Sequence, residues 1–226
     1  MNKNIDIFLP CRSSSIRIKN KNIKPFCDKK FGLFQIKIEQ LILINQINKI
    51  VVSTNDNKIL NFLDKRKYSK IIIDKRPENL CRSSTSTDDL IKYVPKVIQT
   101  EHILWTHVTS PFFNNKDYEK AIKLYFKNIT KKDSLMGVSP VQDFIYDEYK
   151  PINFNKKKEK WPRTQTLKKL YFVNNTVFIS SRNNYLKYKD RIGKKPILMN
   201  IEKIKSFDID WPEDFKIAEK IYESIF

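Results

Sequence analysis

Two short stretches, one at each end of the chain, carry the side chains best suited to chemistry. Near the start, Pro10-Cys11-Arg12-Ser13-Ser14-Ser15-Ile16-Arg17-Ile18-Lys19-Asn20-Lys21-Asn22 follows directly on an apolar run. Serine hydroxyls and backbone N–H groups can cradle phosphate oxygens, and Arg and Lys can neutralise them. The stretch has no glycine, so it is neither a Walker loop nor a dinucleotide fingerprint. Near the end stands Ser206-Phe207-Asp208-Ile209-Asp210-Trp211-Pro212-Glu213-Asp214. In an extended segment Asp208 and Asp210 face one side, and paired carboxylates with room for water and phosphate oxygens suit Mg²⁺. The plainer alternatives are a solvated basic loop at one end, and at the other a helix cap at Asp210 with Asp208 on the surface. His107 ends an apolar run and titrates in a range useful to a general base. A structural histidine is the alternative there.

These stretches need a frame to bring them together. Apolar runs at Ile5–Pro10, Lys49–Ser53, Lys70–Ile73, Ile103–Val108 and Leu135–Val138 predict buried strands. Between them, Leu33–Ile47, Ile59–Lys65, Asp88–Ile98 and Asp117–Lys127 read as helices, the third with Thr87 as its N-cap and Pro95 inside it. Strands alternating with helices predict a parallel sheet covered on both faces. Ligands of such sheets sit beyond the carboxyl ends of the strands. Arg12–Asn22, Thr54–Asp56, Arg76–Thr87 and Thr109–Phe113 would all lie on that edge. After residue 139 the rhythm breaks. Residues 139–172 are polar, Lys-rich and aromatic, with Pro140, Pro151 and Pro162. Val173–Ser180 returns to strand character, and Trp211–Phe226 reads as a last helix capped by Asp210, with Pro212, Glu213 and Asp214 in its first turn.

Bulk properties narrow the class. The chain of 226 residues reads as one domain, 1–226, with enough apolar and aromatic residues for a real core. No run is long enough to span a bilayer and no signal peptide is visible, so the expected location is the cytoplasm, with no membrane partner. Cys11, Cys27 and Cys81 form no C-x-x-C pair, and with only His102 and His107 there is no zinc set. The net charge of +19 would steer polyanions. The lysines are spread along the chain, however, and no helix-turn-helix or RNA-binding aromatic signature accompanies them, so nucleic acid is not an expected partner.

The opening resembles the I-P-A-R-x-x-S-x-x-x-x-x-K-N signature of the acylneuraminate (CMP-sialic acid synthetase-like) cytidylyltransferase family, with Arg12, Ser15, Lys21 and Asn22 on its fixed positions. Val52-Ser53-Thr54-Asn55-Asp56 resembles V-S-T-D-D, Arg76-Pro77-Glu78-Asn79-Leu80 resembles R-P-x-x-L, and Thr109-Ser110-Pro111 matches T-S-P. Asn174 with Val177-Phe178-Ile179 resembles N-G-A-I-Y-I, and Ser206–Asp214 resembles S-I-D-I-D-x-x-x-D. The resemblance implies a Rossmann-like three-layer α/β/α nucleotidyltransferase with a mostly parallel sheet. It implies Mg²⁺-dependent transfer of CMP from CTP to an acidic sugar such as a sialic, legionaminic or pseudaminic acid, with release of pyrophosphate. Arg12, Ser13, Ser14, Ser15 and Lys21 would hold the triphosphate. Asn22, Arg76 and Ser86 or Thr87 would complete the nucleotide site, and Asp208 and Asp210 would hold the metal. Arg12, Lys21, Asp208 and Asp210 would carry catalysis by positioning and electrostatics. His107, Thr109, Ser110, Arg163, Gln165 and Asn174 would face the acceptor, and 139–172 would be an insertion that builds a homodimer.

The chain also departs from the pattern. Cys11 replaces alanine, Ile16 replaces a frequent basic residue with Arg17 next door, Asn175 replaces a glycine, and His107 stands where glutamine is common. No lysine occupies Val138–Asp147 to meet a sialic carboxylate. The same transfer to 3-deoxy-octulosonate, or to a phosphonate or phosphate compound, is therefore the alternative. A non-catalytic nucleotide-binding relative is the rival of a different class.

Overall fold

The computed structural model describes residues 3–13 and 15–225. Seven strands form one sheet: β1 (Ile5–Cys11), β2 (Ile50–Thr54), β3 (Ile71–Lys75), β4 (His102–Trp105), β5 (Ser134–Val141), β6 (Leu170–Ser181) and β7 (Pro196–Asn200), in the order β3-β2-β1-β4-β6-β5-β7. β1, β2, β3 and β4 run parallel, and β5 pairs parallel with β7. β6 lies antiparallel between β4 and β5. The sheet is mostly parallel, as the resemblance implies, and the antiparallel β6 departs from the parallel sheet that the alternation of elements predicts.

Alternation along β1 divides the core. Ile5, Ile7, Leu9 and Cys11 point into one layer with α1 (Gly32–Ile42), α2 (Asn57–Arg66), α4 (Asn115–Asn128) and α6 (Pro212–Ile225). Phe8 points the other way, with Val51, Trp105 and Phe178, against α3 (Thr87–Val97) and α5 (Arg182–Tyr188). Helices on both faces give the three layers. None of the helices among the described residues is long and apolar enough to cross a membrane.

Several boundaries differ from the sequence reading, each for a local reason. α1 stops at Ile42, short of the expected Ile47. β4 ends at Trp105, and Thr106 to Val108 already belong to the loop. The N-cap of α3 is Ser86, whose hydroxyl accepts from the Asp89 N–H at 3.1 Å, so Thr87 is the first helical residue. α6 starts at Pro212, and the carboxylate of Asp214 accepts from the N–H groups of Trp211 (2.7 Å) and Asp210 (3.0 Å). Asp210 is thereby released from the expected capping role. The sequence reading passes over α5, which is only seven residues long, and over β7, whose apolar run is the three residues Ile197-Leu198-Met199.

Two glycines are required by close approach. Gly32 has φ +49°, and a Cβ there would lie 1.9 Å from the Lys24 carbonyl oxygen. This closes the turn that returns the chain from the basic loop into α1. A Cβ on Gly137 would lie 2.4 Å from Thr176 Oγ1 and 2.5 Å from Asn174 Oδ1, so β5 needs glycine to pass those two side chains.

Candidate nucleotide site at the carboxyl edge of the sheet

The loop after β1 closes on itself first. Asn20 takes a left-handed conformation at φ 56°, which asparagine tolerates, and its carbonyl accepts the N–H groups of Ile23 and Lys24. The Asn22 amide donates to the Arg12 carbonyl at 3.0 Å, drawing the two ends of the loop together. The neighbouring loops then lock onto it. Ser13 N–H donates to Asn55 Oδ1 at 3.0 Å, and the Asn55 amide reaches the Glu78 carboxylate at 3.2 Å. The Arg12 guanidinium donates to the Arg82 carbonyl at 2.9 Å. Three of the four segments expected on this edge are therefore bonded directly to one another. Arg12, Ser15, Ile16, Arg17, Lys21, Asn22 and Ser83 line a pocket of about 280 Å³.

The carboxylates come to the same place. Lys21, nearly buried, donates to the Ile209 carbonyl at 2.7 Å and to Asp210 Oδ1 at 3.0 Å. Arg17 Nη2 donates to the same Asp210 oxygen at 2.9 Å, and its guanidinium lies 5.0 Å from the centre of the Trp211 ring. Ile209 N–H donates to the Thr109 carbonyl at 3.0 Å, which ties in the fourth loop. Ile209 is fully buried, and both of its backbone groups are taken. Asp208 and Asp210 flank it. One oxygen of Asp208 accepts from the Asn175 amide at 2.8 Å. The other, Oδ1, is buried without a hydrogen-bond partner. A carboxylate oxygen in that condition fits a cation ligand, because a buried acceptor with no donor is costly. The described residues contain no group of three or more His, Cys, Asp or Glu side chains arranged for a metal. An ion here would draw its remaining ligands from phosphate oxygens and water, as Mg²⁺ commonly does.

Other expected site residues are placed differently. Ser14 lies outside the described residues. Arg76 is buried and spends its guanidinium on Ser53, donating to the hydroxyl at 3.0 Å and the carbonyl at 2.5 Å. Ser53 in turn donates to Asp74 at 2.6 Å. Arg76 therefore fastens the end of β3 to β2 rather than facing the pocket. The Ser86 hydroxyl is engaged by Asp89 at the start of α3, and it is Ser83, not Ser86 or Thr87, that lines the pocket. Asn174 is buried between Ser139 (3.2 Å) and Thr176 (2.6 Å). Ser110 is also buried, with its carbonyl taken by Lys37 at 2.8 Å. Arg163 and Gln165 are exposed on the segment after β5, and neither lines the pocket.

His107 does not present a free base. Its Nε2 accepts from the Trp105 indole N–H at 2.9 Å. Because that indole can only donate, the ring proton of the neutral imidazole sits on Nδ1. Burial, reinforced by the cationic Arg191, Lys21, Arg76 and Lys37, pushes the pKa down to about 3. An unfolded chain with an ordinary histidine takes up this proton near pH 6.5, before the folded chain does. The stability from neutral His107 is thus complete above about pH 6.5 and lost as pH falls toward 3. Proton NMR of the His107 ring is expected to show no titration between pH 8 and pH 5, and a midpoint near 6.5 would contradict the geometry.

Signals for some of the missed residues were present in the sequence. Lys37 interrupts the Leu33–Leu41 stripe of α1, where the helical period calls for an apolar residue. Asn175 gave no signal beyond its departure from glycine, since its partner Asp208 is 33 positions away.

A seven-stranded, mostly parallel sheet of this order with helices on both faces defines a three-layer α/β/α protein. The family model described as "Cytidylyltransferase" matches residues 7–225, and the chain belongs to that family. It is 26% identical over 230 residues to the N-acylneuraminate cytidylyltransferase of Escherichia coli O18:K1:H7 (strain RS218 / NMEC), an alignment covering 99% of this chain and 53% of that protein. It is 24% identical over 221 residues to the post-translational flagellin modification protein B of Campylobacter coli, covering 92% and 90% respectively. The chain thus spans about half the length of the N-acylneuraminate cytidylyltransferase it matches. Among solved structures it resembles a CMP:2-keto-3-deoxy-manno-octonic acid synthetase complexed with CTP, with TM-score 0.69, 12% identity and coverage of 99% and 100%. It also resembles a 4-diphosphocytidyl-2C-methyl-D-erythritol synthase from Anaerococcus prevotii DSM 20548, with TM-score 0.69, 15% identity and coverage of 97% and 96%. At these identities the likeness concerns the fold.

Proposed function

We propose that this chain transfers CMP from CTP to a nonulosonic acid such as a sialic, legionaminic or pseudaminic acid, releasing pyrophosphate. The observation that carries the reading is that Asp210 bonds Lys21 and Arg17, two of the residues that line one pocket with Arg12 and Ser15. Cations and carboxylates in one cleft can grip a triphosphate together with its counter-ion. The relatives named for N-acylneuraminate and for flagellin modification support an acidic sugar as acceptor.

The chain's residues would divide the work by position. Arg12 and Lys21, with the hydroxyl of Ser15, would hold the phosphates, Lys21 and Arg17 exchanging their bonds to Asp210 for phosphate oxygens. Asp208 and Asp210 would hold Mg²⁺, which when bound neutralises charge on the triphosphate and on the departing pyrophosphate. The acceptor's anomeric hydroxyl would then attack the α-phosphorus in line, the Pα–O bond to pyrophosphate would break, and the hydroxyl proton would pass to solvent water or to the departing pyrophosphate. No side chain need become a covalent nucleophile. His107, with Nε2 occupied, would serve as an Nδ1–H donor toward the acceptor and not as its base.

A homodimer and a cytoplasmic location belong to the same reading. The segment after β5 carries its own aromatic cluster of Phe144, Tyr146, Phe154 and Trp161, yet leaves Trp161 65% and the nearby Phe172 66% exposed. Such a surface supports burial against a second copy. A second copy would also give the exposed Arg163 and Gln165 a site to reach. The alternative acceptor, 3-deoxy-octulosonate or a phosphonate or phosphate compound, is favoured by the lack of a lysine in Val138–Asp147. The test is to incubate the protein with each nucleoside triphosphate, Mg²⁺ and a panel of sugar acids, and to detect products by mass. A CMP-linked sugar acid is expected. Consumption of another nucleotide, or no product with any acceptor, would overturn the reading.

A further inference from the structure

The loop Thr109–Phe113 is held from beneath by one face of α1. Lys37 has no exposed surface, and its ammonium donates to the Ser110 carbonyl at 2.8 Å, the Phe113 carbonyl at 2.9 Å and the Tyr118 hydroxyl at 3.0 Å. One turn further along, the Gln40 amide donates to the Pro111 carbonyl at 2.6 Å. Three carbonyls of the stretch Ser110–Phe113 are thus tied to two side chains of one helix. The proton count is consistent in one direction. All three ammonium hydrogens are used. The Tyr118 hydroxyl accepts from Lys37 and therefore donates to Thr106 Oγ1 at 2.6 Å, which donates onward to the Thr176 carbonyl at 2.7 Å.

This arrangement is expensive. A buried ammonium is stabilised by a carboxylate partner when stability is the purpose, and none of the ion pairs among the described residues includes Lys37. An apolar residue would complete the stripe from Leu33 to Leu41 at lower cost. Burial accordingly pulls the Lys37 pKa down to about 7, with Asp117 on α4 opposing the shift. What the lysine secures is the loop's shape. The Thr109 carbonyl, one residue before the Ser110 carbonyl that Lys37 holds, receives the Ile209 N–H at 3.0 Å, between Asp208 and Asp210.

We propose that Lys37 is a positioning residue which, with Gln40, sets the Thr109–Phe113 loop and through it the register of the Asp208–Asp210 segment. Its effect on turnover rests on the cytidylyl-transfer reading above, whereas its effect on the backbone does not. The test compares Lys37→Met and Gln40→Leu with the parent chain. Amide hydrogen exchange at Ile209 is read without ligand, and kcat and KM for CTP with Mg²⁺ and the accepted sugar acid. Lys37→Met is expected to remain folded, to exchange the Ile209 amide about tenfold faster, and to lose about tenfold in kcat with KM for CTP little changed. Gln40→Leu is expected to move both quantities the same way by less. A folded Lys37→Met with parental exchange at Ile209 overturns the proposal. So does a Lys37→Met chain that fails to fold beside a Gln40→Leu chain with parental exchange and kcat. Should the parent chain make no CMP-linked product, the functional reading fails, and the exchange measurement still decides the role of Lys37.

Discussion

Asp208→Asn and Asp210→Asn are each expected to slow pyrophosphate release from CTP by on the order of 100-fold or more, with circular dichroism unchanged. The substitutions are nearly isosteric. The Asn175 amide keeps an oxygen acceptor at position 208, and the backbone groups of Ile209 keep Thr109 and Lys21. What is lost is the charge of a carboxylate flanking Ile209, which at Asp210 lies directly against Lys21 and Arg17. In Asp208→Asn the buried oxygen that lacks a donor becomes part of a neutral amide, a far weaker ligand for a hard cation. In Asp210→Asn the two cations on its Oδ1, from Arg17 and Lys21, lose their anionic partner. A titration of rate against Mg²⁺ concentration distinguishes the two, with the larger rightward shift expected for Asp208→Asn. Near-parental release by both variants would remove these residues from any metal site.

Lys21→Met is expected to weaken CTP binding by roughly 10- to 100-fold, measured by calorimetry with Mg²⁺ present. The direct loss is one charge-assisted contact to phosphate, worth about 1.5–3 kcal/mol. A second loss comes from the protein itself. Lys21 Nζ is bonded to the Ile209 carbonyl and to Asp210 at once, so its removal leaves the Ile209 carbonyl without its donor and the Arg17–Asp210 pair to hold the carboxylate segment to the basic loop. Turnover should therefore fall further than affinity does. An unchanged dissociation constant would show that the triphosphate does not lie against this loop.

β1 and β2 were legible because each is a short apolar run ended by polar residues and buried on both faces, and β3, although half-exposed at the sheet edge, because Ile71-Ile72-Ile73 is an unbroken β-branched run. β7 was not, although Ile197-Leu198-Met199 is as apolar as the run in β3, because α5 before it is only seven residues long and gives no strand–helix alternation to mark it. Arg12, Ser15, Lys21 and Asn22 were legible as a basic cluster after a strand. Arg76 was misplaced for a physical reason: from the sequence a guanidinium at a strand end reads as an anion ligand, and only the fold shows it turned inward onto Ser53. Asn174 and Ser86 were misplaced in the same way, because a polar side chain's partner is invisible until both are positioned.

By itself the sequence determined the alternation of strands and helices, the edge on which the polar loops gather, and the two stretches able to meet a triphosphate and its ion. Those properties follow from local period and residue type. The tertiary structure alone decided that Asp210 meets Lys21 across 189 positions of chain, that Trp105 takes the free nitrogen of His107, and that a lysine lies buried beneath the Thr109 loop. The physical reason is that hydrogen bonds and burial depend on distance in space, and a residue's type specifies what it can bond to without specifying what it finds there.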